Sequence, residues 1–235
     1  MLITGFYFFL KKICYASKSL VLKKQKWVSL MEQTEVYGDY AQYLPLILED
    51  FTKEIVSANK TVKEKTGFKM YEHLIARIKA PDSMAEKCQR KNLPLTPKSA
   101  LDDIHDSIGI RIVCGFVDDV YQTIAQIKAL PQVTIYNEKD YITNAKPNGY
   151  RSYHLILKLQ TPYPDILGNE HGSYFVEVQL RTIAMDSWAS LEHEMKYKHE
   201  VKNPEMITQE LKRCADELAS CDLTMQTIRN LIQDK

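Results

Sequence analysis

Two rhythms of apolar residues divide the chain. Tyr40, Leu44, Ile47, Phe51, Ile55, Ala58 and Val62 recur at steps of three or four, the spacing of one helix face. Gly67 stands where such a helix would end. Short runs of strand character follow at 72–79, 108–116, 133–141, 153–159 and 174–181, with helical stretches at 83–91, 118–130 and 183–198 between or after them. This irregular mixture predicts an α+β fold, a sheet covered by helices. In the last segment Ile207, Leu211, Cys214, Leu218, Cys221, Met225, Ile228 and Ile232 alternate steps of four and three. That is a heptad seam, which serves either as a cover for the chain's own core or as a contact between copies, with both cysteines acting as small apolar residues.

The N-terminus follows neither rhythm. Residues 1–10 are apolar and aromatic, and Lys11, Lys12, Lys18, Lys23, Lys24 and Lys26 come after them. The order of charge and apolar run is the reverse of a signal peptide's, and the run is too short to span a bilayer. A basic membrane-surface segment has the same composition. The preferred expectation is a poorly ordered or dispensable extension over 1–36, with no stable membrane insertion.

Composition narrows the function classes. With 235 residues, 45% hydrophobic and 26% charged, the chain is long enough for a sizeable core. Lys and Arg number 31 against 30 Asp and Glu, so no global basic surplus points to DNA, and any anion site must be local. Five cysteines without a C-x-x-C pair argue against a disulfide framework or a zinc ribbon and fit a cytoplasmic protein.

The candidate chemistry lies in four clusters. In Leu74-Ile75-Ala76-Arg77-Ile78-Lys79 a strand's period of two puts Arg77 and Lys79 on one face, and two adjacent cations call for an anion. Ser83-Met84-Ala85-Glu86 then fits a capping box, so a helix beginning at Ser83 would offer free N–H groups to a second anion, with Lys87 and Arg90 on the same side. A solvated helix with a Glu86–Arg90 surface pair explains these residues alone. Beside the Arg77/Lys79 strand, a polyphosphate cradle explains them better.

Asp106-Ser107-Ile108-Gly109-Ile110-Arg111 opens a β-branched strand with an acid, a position suited to Mg²⁺ as well as to capping a turn. The His105-Asp106 pair invites comparison with HD-type phosphohydrolases, but it runs straight into a strand. Lys146-Pro147-Asn148-Gly149-Tyr150-Arg151-Ser152-Tyr153-His154 is a turn whose aromatics could stack on a nucleobase and whose Lys146 and His154 could reach phosphates. An ordinary hairpin with surface tyrosines has the same residues. In Phe175-Val176-Glu177-Val178-Gln179-Leu180-Arg181 one face is apolar and the other carries Glu177, Gln179 and Arg181. The helix after it bears the stripe Met185, Trp188, Glu192 and Met195, where a carboxylate should have a partner or a task.

These motifs together, with Thr182 and Trp188-Ala189-x-Leu191-Glu192-His193, resemble the RelA/SpoT synthetase domain over about residues 40–198, in the right order. The likeness is to the small alarmone synthetases, which lack the hydrolase and regulatory domains. It implies an extension over 1–36, a synthetase domain over 37–200 and a C-terminal oligomerisation helix over 201–235, in a nucleotidyltransferase-like mixed sheet flanked by helices. It implies transfer of pyrophosphate from ATP to the ribose 3′-hydroxyl of GTP or GDP, with Mg²⁺ on Asp106 and Glu177 and with Glu177 as base. ATP would fall to Arg77, Lys79, Ser83, Lys87, Arg90 and Arg111. GTP or GDP would fall to Lys146, Tyr150, His154, Gln179, Asp186 and Glu192. It also implies a cytoplasmic homotetramer joined through terminal helices. The competing readings are a catalytically silent binder of guanine nucleotides or RNA, and a synthetase with another acceptor; the intact Asp106 and Glu177 speak against the first, Tyr150 and the Gln179/Glu192 pair against the second.

Overall fold

The protein is described here by a computed structural model covering residues 36–198 and 203–233, so the N-terminal extension expected over 1–36 lies almost wholly outside the described residues. A 3₁₀ turn, Gly38–Gln42, leads into α1 (Leu44–Thr66). The predicted helix from Tyr40 is therefore split: Pro45 occupies the first turn of α1, where its fixed φ starts a helix and its missing N–H costs nothing. Gly67 ends α1 in the left-handed conformation, as expected.

The chain continues through β1 (His73–Ile78), α2 (Pro81–Arg90), a π-helical turn at Ser99–Asp103, β2 (Ile108–Cys114) and α3 (Val117–Lys128). It then forms β3 (Val133–Asp140), β4 (Tyr153–Gln160), β5 (Ser173–Thr182), α4 (Ile183–Lys198) and α5 (Pro204–Gln233). The five strands make one mixed sheet in the order β1-β2-β5-β4-β3, with β2 and β5 parallel and the other pairs antiparallel. The α+β expectation holds.

The period of two along each strand sorts the sheet's faces. Ile108, Ile110 and Ile112, Val176, Val178 and Leu180, and Leu155, Leu157 and Leu159 join one buried cluster with Leu44, Ile47, Phe51 and Ile55 of α1 and Val120, Ile124 and Ile127 of α3. Each such burial is worth about 1.5–3 kcal/mol. An exposed pair such as Lys53–Glu49 is worth about 0–1 kcal/mol. Core packing therefore fixes the register, and a slip by one residue would turn every polar residue of the opposite face inward. That opposite face carries the candidate chemistry.

α4 and α5 form a second, smaller cluster of Trp188, Ala189, Leu211 and Ala215, with Tyr150, Ile207 and Leu218 packed against it. The Trp188 indole N–H donates to the Leu211 carbonyl at 2.8 Å. The heptad seam is thus used in part within the chain. Cys214 and Cys221 are exposed, because Ala215 takes the contact the seam assigned to Cys214. Further along, Met225, Ile228 and Ile232 are exposed, as is Met195 on α4.

Candidate active site

Strand register assembles the site in rows. Arg77 on β1 lies opposite Gly109 on β2, which lies beside Glu177 on β5. In the next row Arg111 lies beside Gln179, and Gln179 lies opposite His154 of β4. A Cβ added to Gly109 would make an ordinary van der Waals contact with the Arg77 side chain at 3.7 Å, so this glycine relieves no clash.

Asp106, just before β2, is the focus of one half. Its Oδ2 receives Lys79 Nζ at 3.0 Å and Lys87 Nζ at 2.5 Å. Burial acts to raise this carboxyl, but the hydrogen bond from Lys87 and the charges of both lysines outweigh it and hold the group below the ordinary aspartate range. Its Oδ1 is buried without a hydrogen-bond partner among the described residues. Lys79 is anchored through its backbone, whose carbonyl accepts from the Tyr37 hydroxyl at 2.7 Å and whose N–H donates to Ser107 at 2.8 Å. Glu177 has the opposite shift: burial, then the negative charge of Asp106, raise its carboxyl above the ordinary range.

The capping box expected at Ser83 is not formed. α2 starts two residues earlier, at Pro81 with Ala80 as its cap, because proline sets a helical φ at the first position. Ser83 is therefore an exposed residue inside the first turn, and Arg90 is exposed at the other end of α2. Arg77 is exposed at the edge of the sheet. Only Lys87 of the α2 residues reaches the Asp106 centre through an ion pair among the described residues.

The other half centres on Tyr150. Its hydroxyl lies 2.8 Å from His154 Nε2 and receives Arg181 Nη2 at 2.9 Å. A guanidinium only donates, so the Tyr150 oxygen accepts from Arg181, while the direction of its hydrogen bond with Nε2 follows the His154 tautomer; His154 Nδ1 lies 3.8 Å from Glu177 Oε1. His154 is neutral: burial, then the charges of Arg181, Lys146 and Lys139, push it down to about 4. The Gln179 amide donates to Glu177 Oε2 at 3.2 Å. Asp186 pairs with Arg181 at 2.9 Å and with Arg111 at 3.6 Å. Lys146 Nζ lies 4.7 and 4.9 Å from the ring centroids of Tyr141 and Tyr150. Glu192 accepts from the Asn148 amide at 3.2 Å, the partner its place on the α4 stripe required.

Sequence reasoning missed two participants and left a third without a role. It placed Arg181 on the polar face of β5 but gave it no task, although the side chain reaches Ser152, Asp186, Tyr150 and Gln179. Tyr141 packs its ring edgewise against Tyr150 and His154. Tyr37 lies far away in the sequence, and nothing in its local pattern announces a contact with Lys79. His105, by contrast, packs against Phe175 and Tyr136 and takes no part in the site.

The site is an open polar face. A cavity of about 660 Å³ lies elsewhere, against α1 and α3, and is lined by residues including Ala58, Thr61, Val62, Met70, Gln122 and Leu130. Among the described residues no group of three or more His, Cys, Asp or Glu could cage a metal. The orphaned Asp106 Oδ1 and the desolvated Glu177, two hard oxygen donors that feel one another's charge, suit a divalent cation that takes its remaining ligands from water and substrate phosphates.

A carboxylate pair flanked by two lysines, adjoining a pocket of aromatics and guanidinium groups, defines a protein that handles nucleotide polyphosphates. Comparison with known proteins agrees. Residues 76–202 match the region found in RelA / SpoT proteins. The GTP pyrophosphokinase YwaC of Bacillus subtilis is 41% identical over 150 residues, 64% of this chain and 70% of that protein. YjbM, a GTP pyrophosphokinase of the same organism, is 36% identical over 163 residues, 69% and 74% of the two chains. The crystal structure of small alarmone synthetase 1 from Bacillus subtilis bound to its product pppGpp superposes with a TM-score of 0.70 at 29% identity, covering 81% of this chain and 94% of that one. Small alarmone synthetase 2 gives 0.67 at 33% identity, covering 82% and 98%. The chain belongs to the RelA/SpoT family.

Proposed function

We propose that this chain is a GTP pyrophosphokinase, transferring the β,γ-pyrophosphoryl group of ATP to the 3′-hydroxyl of GTP or GDP and so making guanosine penta- or tetraphosphate and AMP. The observation that carries this reading is Glu177: a desolvated carboxylate between the Asp106–lysine centre and the Tyr150–His154 pocket, where donor and acceptor would meet. The names of the relatives YwaC and YjbM point the same way.

In this mechanism ATP lies over β1 and β2, its adenine against the planar groups of Arg77 and Arg111. Its phosphates draw Lys79 and Lys87 from Asp106, with Ser83 and Arg90 at the rim of α2. The acceptor's guanine stacks on Tyr150; Gln179, Asp186 and Glu192 position the nucleoside, and Lys146 and His154 meet its phosphates. His154, being neutral, acts there as a hydrogen-bond donor and leaves the charge to Lys146. Glu177 accepts the 3′-hydroxyl proton, the new bond forms to the β-phosphorus, and the bond between that phosphorus and the bridging oxygen breaks, its electron pair leaving with AMP. The raised carboxyl makes Glu177 a better base than an exposed glutamate. Mg²⁺ held by Asp106 and Glu177 would neutralise phosphate charge.

Glu177→Gln keeps the shape and removes the base, so turnover should fall by at least ~10²-fold, the usual scale of general-base effects, with nucleotide binding retained. Near-normal turnover would remove Glu177 from the role. The same reading makes the chain a cytoplasmic homotetramer joined through terminal helices. The exposed Met225, Ile228 and Ile232 of α5 supply an apolar surface for that contact. Among the described residues no helix is long and apolar enough to cross a membrane. Light scattering behind size exclusion should give four chains per particle, and a monomer at micromolar concentration would contradict the assembly.

A further inference from the structure

We infer that Arg181 is the positioning residue of the acceptor pocket, the side chain that holds Tyr150, Gln179 and Asp186 in one arrangement before the acceptor arrives. The inference rests on the acceptor reading above and adds to it a residue that contacts no nucleotide itself. Arg181 is only 5% exposed and sits beneath the groups that face the open side.

The geometry is that of a fork used at every prong. Nη1 donates to Asp186 Oδ1 at 2.9 Å. Nη2 donates to the Tyr150 hydroxyl at 2.9 Å and to Gln179 Oε1 at 3.1 Å, and Nε lies 3.4 Å from Ser152 Oγ. One guanidinium therefore ties β5 to the start of α4, to the turn before β4 and to its own neighbour on the strand. Three of these four partners are acceptor-side groups. Each contact also removes a choice. The bond to Gln179 Oε1 fixes which end of that amide is oxygen, and so turns its NH₂ toward Glu177. The bond to Tyr150 makes its hydroxyl oxygen an acceptor on one side, with His154 Nε2 at 2.8 Å on the other. With the hydroxyl held at its tip and Trp188 and Tyr141 edgewise at 6.4 and 6.2 Å, the ring has one place to lie. The pair with Asp186 offsets the cost of burying the guanidinium.

Lysine cannot do this. Its ammonium is a point charge on a flexible stem and lacks the planar spread of donors that reaches four partners at once. Loss of the fork would leave Asp186 to its weaker pair with Arg111 at 3.6 Å, release the amide of Gln179 and loosen the Tyr150 ring, while Lys79, Lys87 and Asp106 on the donor side would keep their contacts.

Steady-state kinetics of the full chain with ATP and GTP test the inference. Arg181→Lys should raise the KM for GTP about tenfold or more, the scale of one lost charge-assisted hydrogen bond. The KM for ATP should stay within about twofold, since no donor-side contact of that size is cut. Tyr150→Phe should raise the KM for GTP by itself, and adding Arg181→Lys to it should cost less than the product of the single effects, because part of the action of Arg181 runs through that hydroxyl. An unchanged KM for GTP in Arg181→Lys, an equal rise for both substrates, or strictly multiplicative effects would overturn it. If thermal melting shows Arg181→Lys unfolded, Tyr150→Phe carries the test, and its KM for GTP must rise. A wild-type chain that transfers nothing would sink the functional reading, whereas an active wild type with an indifferent Arg181→Lys would sink this inference alone.

Discussion

At the scale of residues, what the sequence displays is alternation, and what it hides is convergence. The period of two announces that Arg77 and Lys79 share a face, and likewise Glu177, Gln179 and Arg181; the register of β1, β2 and β5 then sets those faces side by side. Local pattern has no means of showing that Lys79 and Lys87, one after a strand and one on a helix, end on the same oxygen of Asp106, or that its other oxygen is left for something else. The charge state of His154 was equally invisible, since it is set by burial and by three cations from other parts of the chain. The misplaced capping box has a simpler cause. Ser83 and Glu86 have the right identities and spacing, but Pro81 already supplies a helical φ, and a helix starts at its first competent residue.

At the scale of elements, α5 shows how a correct period gives an incomplete reading. The heptad predicted a packed seam; the structure packs its first half on α4 and leaves Met225, Ile228 and Ile232 exposed. Beyond that packing, α5 is held by close approach and polar contact that no apolar period reports. Gly149, at φ +91°, lies so near the helix that a Cβ would come within 2.5 Å of the Ala215 side chain. Arg229 pairs with the buried Asp119 of α3, and Asp222 accepts from the Thr182 hydroxyl at 2.5 Å. Burial raises the Asp222 carboxyl more than that hydrogen bond lowers it. A carboxyl raised on folding binds its proton more tightly in the folded chain, so its contribution to stability falls as pH rises from the ordinary aspartate range through the raised value. Asp222→Asn retains an oxygen for Thr182 and removes the charge. It should raise the midpoint of thermal unfolding at pH 7.5 by about 2–4 °C, the shift expected for roughly 1 kcal/mol in a domain of this size. The gap from wild type should close toward pH 4. A lower midpoint at pH 7.5 would show that the charged form is needed to seat α5.

At the scale of the whole molecule, the near balance of 31 basic and 30 acidic residues required any anion site to be local, and the structure concentrates it on one face of one sheet. The other face is given to the core, and the α4–α5 pair borders the Tyr150 side. Two carboxylates, the lysines beside them and the Arg181 fork thus stand on a rigid register that the core maintains. The central claim is that this face transfers pyrophosphate to a guanine nucleotide. Its most direct test is to incubate the full chain with γ-³²P-labelled ATP, Mg²⁺ and, separately, GTP, GDP, GMP or ATP as acceptor, and to separate the products by thin-layer chromatography. The account predicts labelled guanosine penta- or tetraphosphate with stoichiometric AMP when GTP or GDP is present. Nucleotide binding without transfer of label to any acceptor would contradict it, and would make the chain a silent nucleotide-binding regulator.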